Sequence, residues 1–150
     1  MGPRGEGWVI GQFVIGAAIL VSTFFTRVEI PLFAQIIGGA LLVIGAVIAG
    51  LGLITLGANL TPFPKPKEGA HFLVTQGVYR IVRHPIYCGI VSGAFGWTLW
   101  WGTLSGIVLA LALFLWFDLK SRFEERWLVE KYPDYALYQA RVKKLIPFVY

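Results

Sequence analysis

Charge is scarce in this sequence. Only 14% of its 150 residues are charged, against roughly a quarter in a soluble domain, while 57% are hydrophobic and the mean hydropathy is +0.70. That balance excludes an ordinary soluble domain and points to an integral membrane protein. Cysteine is equally scarce. A single one, Cys88, excludes an internal disulfide, and with two histidines it cannot by itself complete a four-ligand zinc site, so no metal is expected. Cys88 reads as a small buried apolar residue. The first apolar segment has no small-residue cleavage site after it and is expected to span rather than to be removed. The length fits one membrane domain, with any chemistry carried by the membrane body and its connections.

What is present is a series of apolar runs. Trp8 to Phe25 is uncharged for about 18 residues, close to the roughly 20 that cross a hydrocarbon core. Ile30 to Leu56 follows, entered at Pro31 and rich in glycine at Gly38, Gly39, Gly45, Gly50 and Gly52, which are expected to let another helix approach closely. Residues 1–56 thus read as two spans and 57–85 as a polar loop, broken by Asn59, Pro62, Pro64 and Pro66. Residues 86–117 form a helical hairpin turned at Gly102-Thr103, and 118–150 an amphipathic helix and tail. The fold class is all-α, with about four transmembrane helices plus a C-terminal amphipathic helix. On that topology twelve of the 13 basic residues share one side and only Arg27 lies on the other. Such asymmetry predicts a multi-pass protein of the cell membrane with both termini and the polar loop in the cytoplasm. The net charge of +5 is then an orientation signal with an affinity for anionic headgroups, and no nucleic-acid partner is expected.

The stretch Gly77-Val78-Tyr79-Arg80-Ile81-Val82-Arg83-His84-Pro85-Ile86-Tyr87-Cys88-Gly89 gathers ionisable and hydroxyl side chains at the entrance of an apolar segment. Pro85 fits the first turn of a helix and biases His84 out of the α region, which sets Arg83 and His84 at a helix N-terminus, a place suited to an anionic ligand group. Further on, Lys120, Glu124 and Leu128 are four apart and share a face, whereas Glu124 and Glu125 point about 100° apart, so at most one of the pair faces a pocket formed with the earlier stretch. Glu124 is favoured because it shares the face with Lys120.

Gly77-Val78-Tyr79, Arg83-His84-Pro85-x-Tyr87-x-Gly89, Glu124-Glu125-x-x-Leu128, Tyr135-x-x-Tyr138-x-x-Arg141-Val142 and Ile146-Pro147-Phe148, in this order around a hairpin of apolar helices, resemble the isoprenylcysteine carboxyl methyltransferases and their phospholipid methyltransferase relatives, in a small bacterial-type form. The likeness covers about His71 to Phe148. It implies a membrane enzyme that binds S-adenosyl-L-methionine on the cytoplasmic side, releases S-adenosyl-L-homocysteine, and methylates a lipophilic small-molecule or lipid-modified acceptor. It implies a cofactor site lined by Pro64, His71, Phe72, Leu73, Val74, Tyr79, His84, Pro85, Ile86, Tyr87 and Glu124, with His84, Tyr87 and Glu124 at the reacting end. A basic residue one turn before the glutamate meets the acceptor in the family; Lys120 and Arg122 both remain open for that place. The core is expected to lack the extra spans that precede it in the eukaryotic members, so a lipid amine, a quinone-like or isoprenoid acid and a small thiol all stay open as acceptors.

Two other readings compete. Membrane sterol reductases share a similar C-terminal core and bind NADPH, although this chain shows no extra basic cluster for a nucleotide phosphate. A non-enzymatic membrane subunit would instead use the glycines of the second span to pack on a partner helix.

Overall fold

The computed structural model describes residue 2 and residues 5–65 and 73–150. Among the described residues there are four long helices and one short one: α1 (Glu6–Ser22), α2 (Leu32–Leu56), α3 (Pro85–Trp101), α4 (Leu104–Lys131) and α5 (Tyr135–Arg141), with 3-10 turns at Gly57–Asn59 and Gly77–Arg80. Among the described residues there is no strand, only isolated bridges between Arg27 and Thr103 and between Val82 and Lys143.

The boundaries follow from local chemistry. Pro31 stands immediately before α2 and Pro85 is the first residue of α3, where a missing N–H costs nothing. Gly102 ends α3 with φ 64°, a left-handed cap that turns the chain straight into α4. At 28 residues α4 is about 42 Å long, more than the roughly 30 Å of a hydrocarbon core, so its polar final third extends beyond the apolar part.

Consecutive helices run antiparallel. α2 and α3 pack chiefly on each other, α4 packs chiefly on α1, and α3 and α4 also touch. The α2–α3 seam is made at backbone distance: a Cβ added to Gly38 would meet the Trp100 N at 2.5 Å, one on Gly45 the Gly89 O at 2.5 Å, and one on Gly52 the Ile86 side chain at 2.9 Å. These three glycines recur every seventh residue, two helical turns apart, on one stripe of α2. Gly39 lies under the Trp100 ring, while Gly50 has nothing within 4 Å. Hence the glycine run does pack a helix, but with α3 of the same chain and with four of its five members.

The α1–α4 contact is aromatic instead. Trp8 packs on Trp116 and Phe123 at centroid distances of 4.8 and 5.2 Å, and Trp116 Nε1 donates to the Trp8 carbonyl at 3.0 Å. The small core joins Ile19, Ala94, Ala110, Leu113 and Phe117. Most of the remaining apolar surface points outward, as at Phe13, Phe33, Val43, Ile54, Val108 and Leu115. Two helices, α2 with its 3-10 extension (Leu32–Asn59) and α4, are long and apolar enough to cross a membrane, and α1 is a shorter apolar helix.

Candidate active site

The start of α1, the end of α2, the start of α3 and the polar third of α4 meet at one end of the bundle, and α5 and the tail fold onto them. Val82 bridges Lys143, and the N–H groups of Arg83 and His84 donate to the carbonyls of Lys143 at 2.8 Å and Lys144 at 3.1 Å. The backbone entering α3 is thereby fixed by residues some 60 positions later. Arg83 is among the residues lining the cavity at this end, but its Nε donates to Glu125 Oε1 at 2.8 Å, and its Nη1 to the carbonyls of Gln139 at 3.0 Å and Val142. The fold thus takes the Nε and Nη1 donors of Arg83, which leaves its Nη2 for the anion site expected at this helix start.

A second polar cluster holds the tail. Lys144 and Tyr150 both bind Asp118 Oδ1, and Arg122 reaches Asp118 Oδ2 at 2.8 Å from an exposed position.

Between these supports lies a cavity of about 320 Å³, within the range for small-molecule sites, with walls that are mainly apolar. His84 is 6% exposed, caps α3, and stacks on Tyr87 at 5.3 Å with planes 1° apart. Tyr87 donates its hydroxyl to Glu124 Oε2 at 2.8 Å and rests on Phe117 at 4.5 Å. His84 Nδ1 is 3.8 Å from that same Glu124 oxygen, and its Nε2 is 3.0 Å from Glu125 Oε1. Glu124 faces the cavity, and Glu125 lies behind His84, outside the lining. Lys120 is 1% exposed; its ammonium donates to Gln12 Oε1 at 2.7 Å and the Pro62 carbonyl at 3.0 Å and sits 5.0 Å above the Tyr87 ring. This one side chain ties α1 and the strap of residues 57–65 to α4. The strap then reaches α1, where a Cβ on Gly5 would meet Pro64 at 2.8 Å.

The electrostatics follow from this packing. Burial raises the phenols of Tyr79, Tyr135 and Tyr138 above their ordinary range, with Glu124 adding to the effect at Tyr79, so all three stay protonated at neutral pH. Tyr138 uses its hydroxyl to hold the Tyr79 carbonyl at 2.6 Å. Glu125 lies in the polar extension of α4. Burial works against its charge, but the hydrogen bonds from His84 and Arg83, together with the Arg83 charge, outweigh that and bring the carboxyl down to about 2.

Of the residues singled out in the sequence, Pro64, Leu73, Val74, Tyr79, His84, Ile86, Tyr87, Lys120 and Glu124 all line this cavity. Pro85 is buried behind it against Gly52. His71 and Phe72 lie outside the described residues. Arg122 is turned to the surface, so only Lys120 of the two basic candidates reaches the cavity. Sequence reasoning missed Gln12 and Tyr132, and it named Tyr135 and Tyr138 in the family pattern without placing them in the site; all four line it. Gln12 carried a signal, being the one polar side chain of the first helix between Glu6 and Ser22.

This arrangement of helices is found in a solved intramembrane enzyme. The fold superposes with a TM-score of 0.70 on a eukaryotic intramembrane Ras methyltransferase, isoprenylcysteine carboxyl methyltransferase, over 99% of this chain and 55% of that one at 24% identity. The phospholipid methyltransferase family model matches residues 33–135, and the chain belongs to that family. Similar proteins include protein-S-isoprenylcysteine O-methyltransferase A of Arabidopsis thaliana (30% identical, covering 88% of this chain and 73% of that one). A probable protein-S-isoprenylcysteine O-methyltransferase of Oryza sativa subsp. indica is 32% identical over 78% of this chain and 63% of its own length. The enzyme of Saccharomyces cerevisiae is 32% identical, over 76% of this chain and 49% of that one. The chain thus spans less than two thirds of the rice and yeast relatives.

Proposed function

We propose that this protein is an S-adenosyl-L-methionine-dependent methyltransferase that acts on a lipophilic acceptor at the membrane surface, in the manner of the isoprenylcysteine carboxyl O-methyltransferases. The observation that carries the reading is the meeting of His84, Tyr87, Glu124 and Lys120 around one largely apolar cavity at the polar end of a bundle whose outer faces are apolar. Four spans, with both termini and the cavity on the cytoplasmic side, accord with the antiparallel order and with the clustering of basic residues at that end. The chain is then one membrane domain: two spans in 1–56, a cofactor loop in 57–85, a hairpin in 86–117 and a cytoplasmic helix and tail in 118–150.

The residues present fit the cofactor. Its ammonium suits the Glu124 carboxylate, whose only hydrogen bond among the described residues comes from Tyr87. Its amino-acid carboxylate suits the open N–H groups at the start of α3. The sulfonium suits the faces of Tyr79 and Tyr87, and Pro64, Leu73, Val74 and Ile86 supply apolar walls. His71 and Phe72 join the site on the family resemblance alone. When bound, the cofactor supplies an activated methyl group. The chain's own task is to align the acceptor in line with it and exclude water, a contribution that reaches roughly 7–11 kcal/mol in favourable cases. Lys120 presents a buried cation to an anionic group of the acceptor. A carboxylate acceptor arrives ionised and needs no base, whereas an amine or thiol releases a proton that His84 is placed to accept.

Titration of the purified protein with S-adenosylhomocysteine and, separately, NADPH tests this reading. Wild type should bind only the first, and His84→Ala and Glu124→Ala should each weaken that binding roughly ten- to a hundredfold while the protein still folds. Unchanged affinity in both variants, or binding of NADPH instead, overturns it.

A further inference from the structure

Glu125 is a buried ionisable group to which the reading above gives no task. Its carboxylate sits behind His84 and receives three groups: Arg83 Nε at 2.8 Å and His84 Nε2 at 3.0 Å on Oε1, and Gln139 Nε2 at 2.8 Å on Oε2. Arg83 is always protonated and the Gln139 amide nitrogen only donates, so both favour the ionised carboxylate, which is an acceptor at every position. Facing such a partner, His84 Nε2 must carry the hydrogen, and in the neutral ring the lone pair then falls on Nδ1.

Nδ1 has no hydrogen-bond partner among the described residues. It lies 3.8 Å from Glu124 Oε2, which already accepts from Tyr87 at 2.8 Å. Two acceptors at that spacing do not bond each other, but a donor placed beside them bonds both. We infer that Glu125 is a positioning residue: it keeps the proton on His84 Nε2, so that His84 Nδ1 and Glu124 Oε2 together form a two-acceptor seat for a donor group of the bound ligand. Under the methyltransferase reading, on which this last step rests, the donor is the ammonium of the cofactor, which has three N–H groups to give. The groups facing His84 are Arg83 and Tyr87 from its own segment, and Glu124 and Glu125 from α4.

The tautomer can be read directly. His84 and His71 are the two histidines of the sequence, so long-range proton–nitrogen NMR of the full chain with isotope-labelled histidine, with His71→Gln to assign the signals, gives the state of each ring nitrogen at neutral pH. Wild type should show His84 protonated on Nε2 and bare on Nδ1. Glu125→Gln, whose amide can donate to Nε2, should move the proton to Nδ1 and weaken S-adenosylhomocysteine binding roughly ten- to a hundredfold. A proton on Nδ1 or on both nitrogens in wild type overturns the inference, and this arm decides even if the variant does not fold. A Glu125→Gln protein with wild-type ring signals and wild-type affinity overturns it too. Wild type that shows the expected ring signals yet fails to bind S-adenosylhomocysteine overturns the cofactor reading, and with it the ammonium as donor, while upholding the hold of Glu125 on His84.

Discussion

The seam between α2 and α3 and the polar end of the bundle hold the same helices in opposite ways. Along the seam the contact is made chiefly by leaving side chains out: Gly38, Gly45 and Gly52 bring backbone against backbone or against Ile86, with a hydrogen bond from Ser92 Oγ to the Leu41 carbonyl at 3.0 Å beside them. At the polar end, position is set by long side chains reaching across 14 to 56 residues, with Arg83, Glu125, Gln139 and the tail carbonyls joined in one network. The seam sets how far apart the helices are, and the network sets how they are turned and which groups face the cavity. A stripe of glycines tolerates no addition, and a buried network tolerates no deletion.

Deletion should have the larger effect. Arg83 and Glu125 are each about nine-tenths buried, so Arg83→Leu removes two tail contacts and takes the arginine countercharge from a buried carboxylate. Breaking such a pair from one side costs about 3–5 kcal/mol, which should appear as a steep drop in melting temperature of the detergent-purified protein. A melting temperature within a few degrees of wild type would show that the network does not hold the end together.

Acid should probe the same pair more gently. The Glu125 carboxyl is brought to about 2 in the folded chain, below its ordinary range of about 4.3. A carboxyl lowered on folding contributes stability that is present in full above its unfolded value and is lost as pH falls toward the folded one. Melting temperature should therefore decline from pH about 5 to about 3 in wild type and decline less in Glu125→Gln. Parallel curves for the two proteins would assign the acid loss to other carboxylates.

Addition at the seam comes next. A methyl group on Gly45 would collide with the Gly89 carbonyl and the Gly93 nitrogen of α3, neither of which is a flexible side-chain end. Gly45→Ala should cost about 1–3 kcal/mol through forced separation of the two helices, read as a lower melting temperature. Because Gly52 and Pro85 continue this stripe to the cavity wall, S-adenosylhomocysteine affinity should fall with it.

Much of this architecture was legible in the chain because its signals are local. Apolar runs bounded by Pro31, Pro85 and Gly102 mark α2, α3 and the hairpin, and the four-residue spacing of Lys120, Glu124 and Leu128 places one face of α4 on the cavity. Helical geometry also separates Arg122 from that face, since it lies two residues, or about 200°, from both Lys120 and Glu124. The partners across the fold were not legible. Gln12 matters because α1 docks antiparallel on α4, Arg83 is diverted because the tail returns to it, and Glu125 finds His84 because α3 and α4 cross there. Each depends on a contact of high sequence separation, which no periodicity records.

The smallest effect should come from the glycine that the seam does not use. Gly50 is five residues from Gly45 on α2, yet an added Cβ there meets nothing within 4 Å. The same substitution then loses its steric cost and keeps only its effect on the backbone, where alanine favours a helix over glycine by up to about 1 kcal/mol. Gly50→Ala should leave the melting temperature unchanged or slightly raised and S-adenosylhomocysteine affinity unaltered. Equal damage from Gly45→Ala and Gly50→Ala would mean that α2 has a partner on its outer side as well, and that its glycines serve two seams.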